Sequence, residues 1–320
     1  MNEPYIYKGK GQRIDTRAAW EYIRKGYLLK PRTVLEGRTK HLQSSLALIK
    51  VVDNNLLSIT EKALKKAMGK MAGAKRLIMF SGGFDSLLMA HLARQAGAKV
   101  EAVTLQFEDF NLYTVKGACE SAQKTGIPHQ ILHVTAVEFL SAFEHMLGVI
   151  DEPVLDLALG VVDAAFKKHA TQIGQETFIS GMGADQWFGN AAFDDRFSSL
   201  EQALDWARVN QVSHQRIAKE HGCQFVFPFL SNEMLALAQQ VPWAMKKDKK
   251  LLRALACSHQ IPHRGLKTEV QLPILMERIL IKKFAHRAWP KPVSPKAGTE
   301  ADRPIKLRQI ILGLWLEKHA

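Results

Sequence analysis

Cysteine is scarce: Cys119, Cys223 and Cys257 are the only three in 320 residues, and no two form a C-x-x-C pair. Neither a zinc ribbon nor a disulfide framework is therefore suggested, and a reducing compartment is expected. Long apolar runs are missing as well. The segment MNEPYIYKGKGQRIDTR has no apolar h-region, and no later stretch holds the uncharged apolar length that spans a bilayer, so the expectation is a cytoplasmic protein with no membrane segment. Two common phosphate fingerprints, G-x-x-x-x-G-K-[ST] and G-x-G-x-x-G, do not occur, nor does any internal repeat or low-complexity tract. Acidic residues are the minority charge, 31 Asp+Glu against 44 Lys+Arg, for a formal net charge of +13. That excess favours an anionic partner such as a nucleotide, nucleic acid, acidic peptide or membrane surface. It is equally compatible with a solvated basic surface, as in KKDKK at 246–250.

What is present alternates. RLIMF (76–80), KVEAVTLQF (99–107), HQILHV (129–134) and TFIS (177–180) read as strands. Between them DSLLMAHLARQAG, YTVKGACESAQKTG, AVEFLSAFEHMLG and LGVVDAAFKKHATQIG read as helices, with Gly97 and Gly126 as stops. Strands alternating with helices imply a parallel sheet covered on both faces, that is, an α/β doubly wound fold. The first 70 or so residues read as helical, with Asp15 as an N-cap candidate, and after about 190 there is no strong strand signal. The expected division is a helical region at 1–70, an α/β core at 71–190 and a mainly helical part at 191–320, with a proline-rich surface loop at 289–304.

The chemistry concentrates in FSGGFDS, between the first strand and its helix. A strand that runs through Gly-Gly into a helix offers free N–H groups and the positive dipole end to an anion. Gly82 and Gly83 remove side chains that would block a phosphate, Ser81 and Ser86 add hydroxyls, and Asp85 beside such a site suits Mg²⁺. A plain capped strand-to-helix turn is the alternative. A second cluster, FISGMGADQWFGN (178–190), follows the fourth strand at the same carboxyl edge, with Asp185 as a second carboxylate for the metal. His129 and His133 in HQILHV read as strand residues rather than metal ligands.

FSGGFDS resembles the PP-loop of the ATP pyrophosphatases, which implies the Rossmann-like, adenine nucleotide alpha hydrolase-like variant of the fold and cleavage of ATP to AMP and pyrophosphate. With ISGMGADQWFGN it resembles the S-G-x-G-x-D-E-x-x-G-G signature of the synthetase domain of asparagine synthetases and their relatives, the β-lactam synthetases and lasso-peptide cyclases. DEPVLD (151–156), FPFLS (227–231), KKLLRAL (249–255) and IPHRGLKTEVQLP (261–273) resemble further family segments in the right order. The resemblance implies a C–N ligase that adenylates a small-molecule or peptide carboxylate and passes the acyl group to an amine, with ATP and Mg²⁺. Asp85 and Asp185 would bind the metal. Ser81, Gly82, Gly83 and Ser86 would hold pyrophosphate, with Lys250 and Arg253 reaching it unless they form a solvated helix face. Lys267 would contact the α-phosphate, and adenine would rest near Met79, Leu105 and Gly181. By the same resemblance 1–70 would be a connector and 71–190 the nucleotide-binding core.

The chain departs from that pattern at its substrate end. The residue between the signature glycines, Glu or Tyr in the family members, is Met182, and the family's acidic position four before the P-F-L proline is Gln224. Neither acts as a base, so both are assigned to the substrate pocket and asparagine itself is not the expected product. The signature's D-E becomes Asp185-Gln186 and its final G-G becomes Gly189-Asn190. A glutaminase half has no counterpart ahead of Ser81, so a separate glutaminase or a substrate-delivering protein is the expected partner. Two rival readings are a PP-loop enzyme that modifies tRNA, favoured by the charge, and a nucleotide-binding homologue without activity.

Overall fold

The computed structural model describes residues 5–6, 13–25, 56–188, 200–246, 249–261, 271–284, 286–287 and 303–319. A short antiparallel pair, β1 (Tyr5–Ile6) and β2 (Arg13–Ile14), stands apart from the main sheet. That sheet has five parallel strands, β3 (Lys75–Met79), β4 (Lys99–Phe107), β5 (His129–Val134), β6 (Thr177–Ile179) and β7 (Gln224–Val226), in the order β5-β4-β3-β6-β7. Val100, Ala102, Val103 and Phe107 of β4 are all buried, as a strand covered on both faces requires.

Helices α1 (Thr16–Lys25) and α2 (Leu56–Ala67) lead towards the sheet. Helix α3 (Phe84–Gln95) joins β3 to β4, α4 (Leu112–Thr125) joins β4 to β5, and α5 (Ala136–Val149), α6 (Ala158–Lys168) and the single turn α7 (Ala170–Ile173) join β5 to β6. Beyond β6 lie α8 (Ala184–Phe188) and α9 (Leu200–Glu220). A 3-10 turn at Pro228–Leu230, α10 (Asn232–Gln240), α11 (Trp243–Lys246), α12 (Lys250–Ser258), α13 (Gln271–Phe284) and α14 (Arg303–His319) follow β7. Among the described residues no helix is long and apolar enough to cross a membrane.

Local signals set these boundaries. Asp15 accepts the Ala18 amide at 3.0 Å and caps α1. Thr135 and Glu138 close a capping box on α5, and Gly126 ends α4 in the left-handed region at φ 60°. His129 donates or accepts a hydrogen bond with Thr104 Oγ1 at 2.7 Å inside the sheet. The four expected strands and the helices between them stand where the sequence puts them, with two additions: the β1–β2 pair in the first stretch, read as helical, and β7. Strand β7 lies in the stretch expected to hold none. It is three residues long, too short to show a period, and its Phe225 is fixed by rings from other elements, Phe178 at 5.5 Å and Phe166 at 5.9 Å. The buried core runs unbroken from Ala18 to Leu316, through all three stretches of the expected division. The loop expected at 289–304 lies outside the described residues as far as 302.

From β3 the chain winds outward to β4 and β5, then returns past β3 to β6 and β7. The direction of winding therefore reverses between β3 and β6. In open α/β sheets the crevice beyond the carboxyl ends of two such strands is where ligands bind.

Candidate active site

Two loops meet in that crevice. The first follows β3, which Phe80 extends by donating its amide to Val103 O at 2.8 Å. Gly82 has φ +70°, and a Cβ there would stand 2.7 Å from Ala118 Cα and 2.9 Å from Gly117 O, so the loop lies directly against the backbone of α4. Ser121 adds a hydrogen bond from its hydroxyl to Gly82 O at 3.2 Å. Gly83 is the N-cap of α3 and has no side chain with which to satisfy the helix amides; its own N–H donates to Ser81 Oγ at 3.2 Å. Ser81 is exposed, whereas Ser86 is buried and donates its hydroxyl to Gly83 O at 3.0 Å. The two serines expected at the phosphate thus differ: Ser81 Oγ lies open, and Ser86 braces the turn. Met79 and Leu105 lie half-buried on the adjoining strands, and the Leu105 carbonyl accepts the Asn111 amide at 2.8 Å.

The second loop follows β6. Ser180 donates its amide to Val226 O at 3.0 Å, and the Met182 amide donates to Ser180 Oγ at 3.2 Å. A Cβ on Gly181 would stand 2.9 Å from Asp85 Cβ, so the two motifs are in van der Waals contact across the switch point. Gly183, at φ +100°, leaves no room for a side chain against Leu230, 2.7 Å away. FPFLS is therefore the shelf beneath the second loop. Met182 is half-buried and packs on the core, with no titratable atom.

The carboxylates of both loops converge on one ammonium. Lys249 Nζ lies 2.5 Å from Asp85 Oδ2 and 2.7 Å from Asp185 Oδ1, and the lysine side chain is only 11% exposed. Burial pushes the Asp85 carboxyl up, as does the neighbouring Asp185, and this outweighs the pull of Lys249 and Arg253. Burial alone would lower the Lys249 ammonium, but the two carboxylates hold it above the ordinary lysine range. Asp85 Oδ1 is buried without a hydrogen-bond partner among the described residues. Two facing carboxylates with an unpartnered buried oxygen are a hard-oxygen donor set, and they fit a divalent cation that draws its other ligands from phosphate and water. Among the described residues no group of three or more His, Cys, Asp or Glu stands ready to hold a metal.

The other expected site residues divide. Lys250 is exposed; it is its neighbour Lys249 that enters the site, and Arg253 sits one turn further along α12, its guanidinium 5.7 Å above the Phe84 ring. Gln224 is corrected by the sheet. It begins β7, opposite Thr177 at the start of β6, and its side chain is exposed at the amino edge, away from both loops. Lys267, Gly189 and Asn190 lie outside the described residues. Lys249 was legible in part: in KKLLR the K-x-x-L-R spacing counts back from Leu252 to residue 249.

Comparisons with known proteins show what the chain is similar to. The family model for asparagine synthase matches residues 55–215, which include both loops. A putative asparagine synthetase [glutamine-hydrolyzing] of Mycobacterium bovis is 34% identical over 109 residues, 34% of this chain and 16% of that protein. A 7-cyano-7-deazaguanine synthase of Marinobacter nauticus is 27% identical over 77 residues, 24% of this chain and 35% of its own length. The chain thus spans well under half the length of these relatives. Among solved structures, a U34-tRNA thiolase from Methanococcus maripaludis aligns over 92% of this chain and 90% of that one at 11% identity and a TM-score of 0.40.

Proposed function

Because the chain belongs to the asparagine synthase family, we propose that it is an ATP-dependent C–N ligase that activates a carboxylate as its adenylate and transfers the acyl group to an amine. The observation that carries this reading is the convergence of Asp85 and Asp185, from two loops at the switch point, beside the glycine-lined turn that opens α3. A family that uses ATP and a site built from helix amides, an exposed serine hydroxyl and paired carboxylates support it together.

In this reading the substrate carboxylate attacks the α-phosphorus, the α–β bond breaks and pyrophosphate leaves; the amine then attacks the acyl carbon and AMP leaves. The open amide end of α3 and Ser81 Oγ hold the departing phosphates, and Lys249, so close to the carboxylates, is the described cation best placed to meet their charge. A Mg²⁺ ion, when bound, would be held by Asp85 and Asp185 and would neutralise charge on the leaving group. Lys267 carries the α-phosphate role in this proposal. Met182 offers no proton acceptor, so the amine enters neutral or loses its proton to another group.

The test is the fate of α- and γ-labelled ATP with Mg²⁺ and fractionated metabolite and peptide extracts, with Asp85→Asn as the control. Extract-dependent AMP and pyrophosphate, lost in the variant, are expected. Formation of ADP alone overturns the proposal, and turnover only with RNA present moves the acceptor to tRNA.

A further inference from the structure

The Lys249 ammonium stands where the proposed metal would draw its charge. It donates to Asp85 Oδ2 and pairs with Asp185 Oδ1, is almost wholly shielded from solvent, and takes its position at a cost, since Lys249 adopts the left-handed conformation at φ 57°, ψ 31°. Its neighbour Arg253 adds a second positive charge within reach of Asp85. A divalent cation added alone would meet carboxylates already neutralised and a cationic side chain at the same oxygens. A polyphosphate changes that balance, because its oxygens at the open end of α3 give the ammonium an alternative anion.

Building on the adenylating reading, we propose that Lys249 is the resident counter-cation of the carboxylate pair, and that the site admits a divalent cation only together with a nucleoside triphosphate that draws the lysine away. Lys249 then plays two successive parts, holding the two loops together before substrate arrives and gripping phosphate afterwards. Metal and nucleotide binding are therefore positively coupled by a residue of the protein, beyond their own affinity in solution.

The experiment measures Mn²⁺ binding to the full chain at pH 8 by the loss of the free-ion electron paramagnetic resonance signal, with and without α,β-methylene-ATP. Wild type is expected to bind Mn²⁺ weakly alone and stoichiometrically with the analogue. Lys249→Met is expected to bind Mn²⁺ alone about tenfold or more tightly than wild type, the scale set by one charge-assisted bond to a partly buried carboxylate. Adding Asp85→Asn to that variant is expected to abolish the gain. Circular dichroism checks folding, and Lys249→Gln replaces the methionine variant should it not fold. Equal Mn²⁺ affinity of wild type and both Lys249 variants, or tight Mn²⁺ binding by wild type without nucleotide, overturns the coupling. The underlying metal reading fails separately, by a different result: Asp85→Asn and wild type binding Mn²⁺ with the analogue equally well.

Discussion

Replacing Gly82 with alanine should weaken the whole fold, while the same change at Gly83 should hardly register, although the two glycines are adjacent. At Gly82 two penalties coincide. An L-residue at φ +70° costs about 1–2 kcal/mol relative to the right-handed regions. The new methyl would also stand 2.7–2.9 Å from three atoms of the α4 backbone, Ala118 Cα, Ala118 N and Gly117 O, none of which can rotate away. Overpacking of this kind costs about 1–3 kcal/mol. Together these give roughly 2–5 kcal/mol, or a fall in melting midpoint of roughly 4–10 °C for a chain of this size. At Gly83 the backbone is already in the β region at φ −76°, and the only near neighbour is the Ser81 hydroxyl at 3.0 Å, which can swing aside. Alanine is a poorer N-cap than glycine, so about 1 kcal/mol or less is expected there. Thermal unfolding followed by far-ultraviolet circular dichroism, without any ligand, compares the pair. Equal midpoints for the two variants would refute the claim that the α4 backbone fixes the position of this loop.

Asp163 is buried between His145 Nδ1 at 2.8 Å and His221 Nε2 at 2.6 Å, tying α6 to α5 and to the residue that follows α9. Asp163→Ala strands both imidazoles and should cost about 3 kcal/mol in urea unfolding, against a loss below about 1 kcal/mol if the cluster is idle. Burial holds the His129 imidazole below its ordinary range, so the unfolded chain takes up the proton first. Stability should therefore fall as pH drops below about 6.5, and His129→Gln should flatten part of that slope in melts at pH 8 and 5.5; an unchanged slope removes His129 from the account.

Much of this architecture was legible because parallel strands covered on both faces write themselves as apolar runs between glycine-marked helices. KVEAVTLQF is strand β4 to the residue. FSGGFDS announces its turn through Gly-Gly, and the Asp15 cap through its place ahead of a periodic segment. What escaped is long-range. Strand β7 exists because aromatic rings from β6 and α6 hold Phe225, which no local pattern declares. Gln224 can be counted from Pro228 along the chain, but only the register of β7 against β6 shows that it lies at the amino edge. Lys249 and Lys250 are indistinguishable by composition. Lys249 stands in the left-handed turn ahead of α12, and it is the one that points inward.

The seam between the first and last described helices has a further consequence, for the order in which the chain is made. Tyr22 of α1 is fully buried, and Arg308 of α14 donates to the Ile23 carbonyl at 3.2 Å across a separation of 285 residues. At ribosomal speeds of about 5–20 residues per second, α1 waits roughly a quarter of a minute to a full minute for that partner. During that interval the apolar face of α1 is without its final neighbour, so this part of the fold closes only once synthesis is nearly complete.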